Sequence, residues 1–412
     1  MDTPTEKHTV PTVSRVNGDT IIELVYDRAA RSTGLVVCRG GTWSIEPEVS
    51  LDNDEKLVPY GATNNLIQHD CVMLPSEPVD HGGKEALLAD IVAYLHRYVD
   101  LTPEFEQIAA HYILLTWVYD AFNELPYLRF KGEYGSGKTR ALIALGSIAY
   151  KGFFASGAST VSPIFHTLDT FGGTLVLDEA DLRFSDKTAD LVKILNNGTV
   201  KGLPVLRTLQ NRQKEFNPAA FNVFGPKIIA MRGSFGDQAL ESRFLSEEMG
   251  NRPLRNDIPI QLPNSLKTEA LDLRNRLLHF RLTNLFAIKS DPSRLVANID
   301  PRLNQTALSL LSLMDDANLR QDICRILKAK QAHIADERTR SAEARTMAAL
   351  TAVFETPERE IISLKELANQ INTNGDDLDD PLSPRQVGQI LRTRSIPLRK
   401  SHGTIVVAKP SR

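Results

Sequence analysis

The sequence has few features of secreted, disulfide-bonded or membrane-spanning proteins. Three cysteines, Cys38, Cys71 and Cys324, lie far apart in 412 residues without a C-x-x-C pair, which disfavours a disulfide framework and a structural zinc site. The longest apolar stretch, 108–122, is too short to span a bilayer. The first ten residues lack the apolar segment of a secretion signal. We therefore expect a cytoplasmic protein with reduced thiols and no membrane association.

A strong charge of one sign is also missing. The formal net charge is −3, with 42% hydrophobic and 24% charged residues, which is the profile of a soluble globular protein. A chain of 412 residues exceeds one ordinary core, so two to four domains are expected. The average charge gives no whole-chain indication of nucleic-acid binding, but it can conceal a local basic region.

Changes in apolar period divide the chain into segments. Short β-branched runs come first, two helical patterns follow, and alternating strand and helix patterns typical of a parallel α/β sheet occupy the middle. Helical patterns, a polar stretch and a last small unit complete the chain. The expected boundaries are 1–80 (β-rich domain), 81–125 (helical connector), 126–255 (α/β core), 256–330 (helical), 331–345 (linker) and 346–412 (C-terminal unit).

The stretch 130–142, FKGEYGSGKTRAL, fits the phosphate-loop pattern G-x-x-x-x-G-K-S/T between a predicted strand and a predicted helix. Glycines let backbone N–H groups approach phosphates, and the helix N-terminus adds its positive dipole end. Lys138 would meet the β- and γ-phosphates and Thr139 would hold Mg²⁺. The alternative is a chance glycine-rich turn. The predicted nucleotide-binding residues here are Gly132, Gly135, Ser136, Gly137, Lys138, Thr139 and Arg140.

An acidic pair follows in TLVLDEAD, at the end of an apolar strand. Asp178 would bind Mg²⁺ through water, and Glu179 would orient or deprotonate the attacking water. An ordinary N-cap or turn carboxylate is the alternative for each. The pair makes nucleotide hydrolysis the favoured prediction over nucleotide binding alone.

Four motifs in order, GEYGSGKT, LVLDEAD, PKIIAMRGS and ALESRF, resemble those of AAA+ ATPases. The segment 126–250 is most similar to the superfamily-3 and minichromosome-maintenance-like helicases of phages, plasmids and other mobile elements. The resemblance implies an α/β fold in which a P-loop AAA+ core with a parallel sheet is followed by a helical lid. It also implies ATP and Mg²⁺ as cofactors and a homo-oligomer, such as a hexameric ring, that acts on DNA.

The same resemblance assigns roles to three further arginines. Arg243, in S-R-F, is similar to an arginine finger that reaches a neighbour's γ-phosphate; a surface arginine paired with an acidic neighbour is the alternative. Arg302, in DPRLNQ, resembles a nucleotide-binding sensor-2 arginine, with a solvent-facing helix start as the alternative. The usual Asn or Thr of sensor 1 is absent after IIAM, where Arg232 or Ser234 stands in its place.

Residues 202–224 predict a β-hairpin with a polar tip at 210–214. In the resembled helicases a hairpin at this position lines the central pore. Arg212 and Lys214 would then hold phosphates of a threaded strand. A plain solvated hairpin end is the alternative.

The C-terminal unit predicts a helix at ISLKELANQIN, a second helix at SPRQVGQILRTR and two strands around His402-Gly403. This order resembles a winged helix-turn-helix. From Leu382 onwards there are seven basic and no acidic residues, which favours DNA over a protein partner. Candidate DNA contacts are Arg385, Gln386 and Gln389 to bases, and Arg392, Arg399 and Lys400 to phosphates.

Three functional hypotheses remain open at the level of sequence. The first is an oligomeric DNA helicase or translocase for a mobile element, with a primase or nuclease supplied by a partner because no such signature is present. The second is a DNA-dependent regulatory or defence ATPase that switches its assembly state without unwinding. The third is a non-enzymatic DNA-binding regulator with a vestigial phosphate loop, which the intact loop and acidic pair disfavour.

Overall fold

The structure is a computed structural model that describes residues 8–51, 55–157, 159–178, 186–210, 216–235, 237–340, 342–355, 360–373, 381–401 and 403–409. The chain divides into two compact units, Met1–Leu327 and Lys328–Arg412, and each is described by itself. Among the described residues, no helix combines the length and the hydropathy needed to cross a membrane.

The first unit begins with short strands, as the β-branched runs predict. β2, β3, β4 and β5 form an antiparallel sheet, while β1 pairs with β7 in parallel and β7 pairs with β6. Ile21, Ile22 and Val36 are fully buried between these strands and the rest of the unit. The elements are β1 His8–Thr12, β2 Ser14–Asn17, β3 Thr20–Asp27, β4 Ser32–Arg39, β5 Thr42–Glu46, β6 Val49–Ser50, β7 Glu55–Pro59 and α1 Asn65–Gln68.

Two helices then lead into the core, α2 Lys84–Tyr98 and α3 Pro103–Trp117. α3 begins at Pro103 because the Thr102 hydroxyl accepts a hydrogen bond from the Phe105 N–H and proline occupies the first turn. Nearly all of α3 is buried, so the longest apolar stretch of the chain forms an interior helix.

A parallel sheet forms the core, as the alternating strand and helix patterns predict, and the short apolar runs YLRF, GFFAS, TLVLDE and PKIIAM supply four of its strands. Its order is β14-β8-β13-β10-β9, with α4 packed against β13 and β10. β14 was not predicted. The elements are β8 Tyr127–Lys131, α4 Lys138–Ile148, β9 Phe153–Ser156, α5 Val161–Phe171, β10 Leu175–Asp178, α6 Asp186–Asn197, β11 Val205–Gln210, β12 Phe216–Phe221, β13 Lys227–Met231, α7 Gln238–Glu241 and β14 Phe244–Glu248.

Buried charges join the N-terminal strands to the core. Glu23 on β3 pairs with Arg281 at 2.7 Å and with Lys151 at 2.9 Å, and all three side chains are 1% exposed. Arg281 also pairs with Asp120 at 2.7 Å. Removing one member of such a group leaves an uncompensated buried charge, so these ion pairs hold β3 against the core.

The residues after the sheet are helical, as expected for 256–330. The first unit contains α8 Ser265–Asn284, α9 Pro301–Ser312 and the start of α10 Ala317–Arg340. The Asp300 carboxylate caps α9, accepting a hydrogen bond from the Arg302 N–H, and Pro301 fills the first turn. Short 3₁₀ turns lie at Tyr119–Ala121 and Pro292–Arg294. The expected linker 331–345 is helical where it is described.

The second unit ends with a helix, a strand, two helices and two further strands, in that order along the chain. β15 and β16 both pair antiparallel with β17. The predicted helix at ISLKELANQIN starts too early: Ile361 and Ile362 lie in a strand, and the Ser363 hydroxyl caps the helix through the Glu366 N–H. The elements are α11 Ala342–Glu355, β15 Ile361–Ser363, α12 Leu364–Thr373, α13 Pro384–Thr393, β16 Leu398–Ser401 and β17 Thr404–Ala408.

Candidate nucleotide site

The predicted phosphate loop connects the carboxyl end of β8 to the first residue of α4. Gly137 caps the helix in the left-handed region with φ 92°, which glycine adopts without steric cost. At Gly132 a Cβ atom would lie 2.3 Å from the Met249 carbonyl oxygen. The loop therefore needs glycine at both positions, one for backbone conformation and one for close approach to the end of β14.

The Lys138 ammonium lies within this loop. Its Nζ donates hydrogen bonds to the carbonyl oxygens of Gly132 at 2.6 Å and Glu133 at 2.7 Å, and to the Ser136 hydroxyl at 3.3 Å. These partners fix a positive charge at the start of α4, where the helix N-terminus also favours anions. A phosphate bound in the loop would replace part of this carbonyl set as the partner of the ammonium.

Thr139 and Asp178 meet across the sheet edge. The Thr139 hydroxyl donates to the Asp178 carboxylate at 2.8 Å, although β13 separates β8 from β10. All three strands are parallel, so their carboxyl ends share one edge. A hydroxyl and a carboxylate oxygen are ligands that Mg²⁺ accepts. The donor set at this edge therefore suits Mg²⁺ beside a bound phosphate.

A cavity of about 360 Å³ connects these groups. Arg232, the first residue after β13, joins its wall beside Lys138 and Asp178. A larger neighbouring cavity of about 1030 Å³ shares the loop and Arg140 and continues along the residues after β14. Arg140 also donates to the Ile260 carbonyl at 2.6 Å. The smaller cavity is lined by Tyr134, Gly135, Ser136, Gly137, Lys138, Thr139, Arg140, Asp178, Ala230, Met231 and Arg232.

Two further candidate residues of this site are Glu179 and Ser234. Glu179 lies outside the described residues, so its role as the water-orienting carboxylate stays a prediction. Ser234 is exposed two residues after Arg232 and is not among the residues that line the smaller cavity. Of the two candidates for sensor 1, Arg232 is the one that borders the loop.

Arg243 and Arg302 lie at the other end of the sheet from the loop of their own chain. Arg243 immediately precedes β14, whose first residue pairs with Tyr127 at the start of β8. The loop follows the last residue of β8, and a strand of five residues spans roughly 13 Å. The two arginines line a shared cavity of about 470 Å³ with Glu124, Thr199 and Gln305. The structure therefore brings them to each other and not to Lys138.

Asn196 holds the Arg243 guanidinium through its main-chain carbonyl and, at 2.7 Å, through its side-chain oxygen. Burial and the nearby Arg302 charge lower the pKa of Arg243. Burial raises the pKa of Glu124 on the same cavity wall. No sequence pattern pointed to Asn196, because nothing in SRF specifies which residue of α6 will face the arginine.

The predicted hairpin is present as β11 and β12, which pair antiparallel from Val205 opposite Phe221 to Gln210 opposite Phe216. Its tip, with Arg212 and Lys214, lies outside the described residues. Apolar side chains on the arms face solvent: Leu206 is 68% and Phe216 is 71% exposed. The position of the hairpin fits the prediction, and the contacts of its tip stay a prediction.

The predicted DNA contacts on the C-terminal unit are all exposed. Arg385, Gln386, Gln389 and Arg392 lie on α13, and Arg399 and Lys400 lie on β16. The side-chain oxygen of Gln386 accepts hydrogen bonds from the N–H and the hydroxyl of Ser383 in a capping box. Gln386 therefore caps α13 in this conformation, while Arg394 pairs with Glu343 on α11.

Several solved structures resemble this chain at low sequence identity. No known family and no curated protein matches the chain in sequence. The C-terminal region of NrS-1 in an apo form is 12% identical over 94% of this chain and 96% of that one, with a TM-score of 0.37. An SCCmec type IV Cch active helicase is 11% identical over 97% and 94%, with a TM-score of 0.31. An inhibitor-bound JCV helicase is 18% identical over 60% and 66%, with a TM-score of 0.25. We therefore base the function on this chain's own residues.

Proposed function

We propose that this chain is an ATP-hydrolysing, oligomeric DNA helicase or translocase that serves the replication of a mobile element. The observation that carries the ATPase part is the contact of Thr139 with Asp178 at 2.8 Å, beside the Lys138 ammonium in one cavity. These residues would supply two of the roles in nucleotide hydrolysis, a phosphate clamp and oxygen groups that bind a metal directly or through water.

Within the site, Lys138 binds the β- and γ-phosphates and the loop N–H groups orient them. Thr139 would hold Mg²⁺ and Asp178 would bind it through water, and the ion would neutralise charge that develops on the transferred group. Glu179 orients the attacking water. Arg232, which follows β13 and lies on the cavity wall, would act as sensor 1 and help to position the attacking water.

The placement of Arg243 supports an oligomer. Because it lies at the opposite end of the sheet from its own loop, it has to meet the nucleotide of another copy if it acts as a finger. Arg302 lies beside it in the same cavity and would serve the same neighbour. A closed ring, such as a hexamer, gives every copy one loop and one pair of arginines.

The DNA part of the proposal depends on the exposed cations of the C-terminal unit. We assign 346–412 as a winged helix-turn-helix in which α13 enters the major groove and the β16–β17 hairpin follows the backbone. The β11–β12 hairpin would contact the threaded strand. The place in a mobile element follows from the resemblance of the four motifs.

A single experiment tests both halves. ATP hydrolysis and strand displacement on a forked duplex would be measured together with particle images in a non-hydrolysed nucleotide analogue. Lys138→Ala should abolish both activities, whereas Lys267→Ala, an exposed lysine on α8, should retain them. ATP hydrolysis without strand displacement would favour the regulatory ATPase, and undiminished hydrolysis in Lys138→Ala would refute the site.

A further inference from the structure

Two histidines and an aspartate distant in sequence converge on the surface of α8. His81 Nδ1 lies 2.9 Å from His279 Nδ1, and Asp80 Oδ1 lies 3.7 Å from the same His279 atom. One ligand atom from each of the three residues falls within 4.8 Å of the others. This cluster is separate from the phosphate loop and from the Arg243 cavity.

The two histidine backbones are fixed relative to each other. Asn275, one helical turn before His279, accepts hydrogen bonds from the Ser76 N–H at 2.9 Å through its side chain and from the Val79 N–H at 3.1 Å through its carbonyl. Arg276 donates to the His81 carbonyl at 3.3 Å. These hydrogen bonds hold the segment before α2 against α8, and this placement brings the two imidazoles together.

The imidazole rings of His81 and His279 point their Nδ1 atoms towards each other. Neutral imidazole has one protonated nitrogen and one lone pair. The His81 backbone N–H approaches His279 Nδ1 at 3.4 Å, which favours a lone pair on that atom. At 2.9 Å the two Nδ1 atoms are at hydrogen-bond distance and share one proton, and a cation would replace that proton if the two atoms move slightly apart. A cation would use both lone pairs and the Asp80 carboxylate.

We propose that Asp80, His81 and His279 form a Zn²⁺ site. Zn–N bonds of about 2.0–2.1 Å place tetrahedral ligands roughly 3.3 Å apart. The His81–His279 separation of 2.9 Å and the His279–Asp80 separation of 3.7 Å lie close to that value, and the exposed Asp80 side chain is free to adjust. Imidazole ligands select zinc-like ions over Mg²⁺ and Ca²⁺. The nearby Arg276 charge is paired with Asp90 at 2.8 Å, which reduces its repulsion of the ion.

The sequence disfavoured structural zinc because it has no cysteine pair, and this site uses none. Its ligands come from DHGG at 80–83 and from LLHF at 277–280, so no local spacing indicates it. With three protein ligands the fourth position takes water. Bound Zn²⁺ would tie the segment before α2 to α8 and stabilise the first unit by mass action.

The test uses the full chain without an affinity tag and stripped of metal. Co²⁺ is the spectroscopic probe and Zn²⁺ the competitor, with bound metal measured by equilibrium dialysis. We expect one equivalent of Zn²⁺, which displaces the visible Co²⁺ absorption and raises the thermal unfolding midpoint. His279→Gln should weaken binding beyond the roughly 10- to 100-fold that loss of an outer-shell partner costs.

Asp80→Asn keeps the test valid if a histidine change disturbs packing, because the Asp80 side chain is 84% exposed. It should lower Zn²⁺ affinity at an unchanged fold by circular dichroism. His69→Gln, at an exposed histidine after α1, is the matched control and should bind like the parent. The proposal is refuted if the parent binds no Zn²⁺, or if His279→Gln and Asp80→Asn bind it as the parent does.

Discussion

The Thr139 hydroxyl lies 2.8 Å from the Asp178 carboxylate, which joins the first turn of α4 to the end of β10. Valine has nearly the same shape as threonine but carries a methyl group in place of the hydroxyl, so the substitution removes only the oxygen. If this pair holds Mg²⁺, Thr139→Val should lower kcat by about 100-fold or more, since a bound metal supplies several kcal/mol of transition-state stabilisation. Mg²⁺ titration of steady-state ATP hydrolysis measures this.

Thr139→Ser is the matched control because it keeps the hydroxyl. We expect it to stay within a few-fold of the parent and to retain the parent's Mg²⁺ dependence. Equal losses in Thr139→Val and Thr139→Ser would show that the methyl group, and not the metal ligand, matters at this position.

Arg243 is predicted to complete the site of a neighbouring copy. Arg243→Ala should lower kcat by roughly 1,000-fold or more if the guanidinium acts as a finger. Equal mixing with Glu179→Gln should restore part of the activity, because an interface with a loop from one variant and an arginine from the other is intact. ATP hydrolysis across mixing ratios measures the rescue.

Asn196→Ala separates this role from local structure. It removes the 2.7 Å side-chain contact that holds Arg243 while leaving the guanidinium, so kcat should fall much less than in Arg243→Ala. For the mixing experiment, ATP hydrolysis by Arg243→Ala mixed with Glu179→Gln that equals the mean of the two separate activities would contradict a shared site.

How far the sequence predicted this structure depends on the range of the interaction. The strands of 127–231 were predicted because each is a short apolar run bounded by turn residues, and the register of parallel strands then places Thr139 near Asp178. β14, FLSEE, was missed because three of its five residues are polar. Tertiary pairing with β8 overrides its weak strand pattern.

Contacts between distant residues carry no local signal. The pairing of Glu23 with Arg281, the hold of Asn196 on Arg243 and the meeting of the histidines at 81 and 279 each join residues far apart in the chain. The predicted helix start at Ile362 was a local error: Ile362 is as compatible with a strand as with a helix, and the Ser363 cap starts the helix at Leu364.

Arg392, exposed on α13, is predicted to contact a DNA phosphate. Replacing it by alanine removes one neutralised phosphate, so the slope of log affinity against log salt should become shallower by about 0.9 on duplex DNA. Affinity should fall to a similar extent for every sequence, because phosphates carry no base information. Fluorescence anisotropy across a salt series measures both quantities.

Arg394 provides the control for this prediction. It lies two residues further along and is paired with Glu343, so much of its charge is already compensated. Arg394→Ala should change the salt slope less than Arg392→Ala does. If both variants match the parent, the C-terminal unit does not hold DNA through α13, and a protein partner becomes the better assignment.

Lys227 gives the protein a pH-dependent stability. It begins β13 fully buried, and its ammonium donates to the carbonyls of Val223 and Gly225, each at 2.8 Å. Burial lowers its pKa to about 7. The pKa of lysine in an unfolded chain is about 10.4, as in model peptides. Between these values the unfolded chain binds more protons, so the free energy of unfolding rises with pH, by up to about 1.4 kcal/mol per unit.

Lys227→Met carries no titrating proton and should lose this rise between about pH 7.5 and about pH 9, a window below the ordinary tyrosine pKa of about 10. Urea unfolding of the parent and the variant across that window measures the two slopes, and the difference between them isolates Lys227 whatever the variant's absolute stability. Lys267→Met, at the exposed lysine on α8, should retain the parent's slope. Parallel slopes for the parent and Lys227→Met would show that Lys227 keeps its proton in the folded protein, held by the two carbonyls more strongly than burial opposes it.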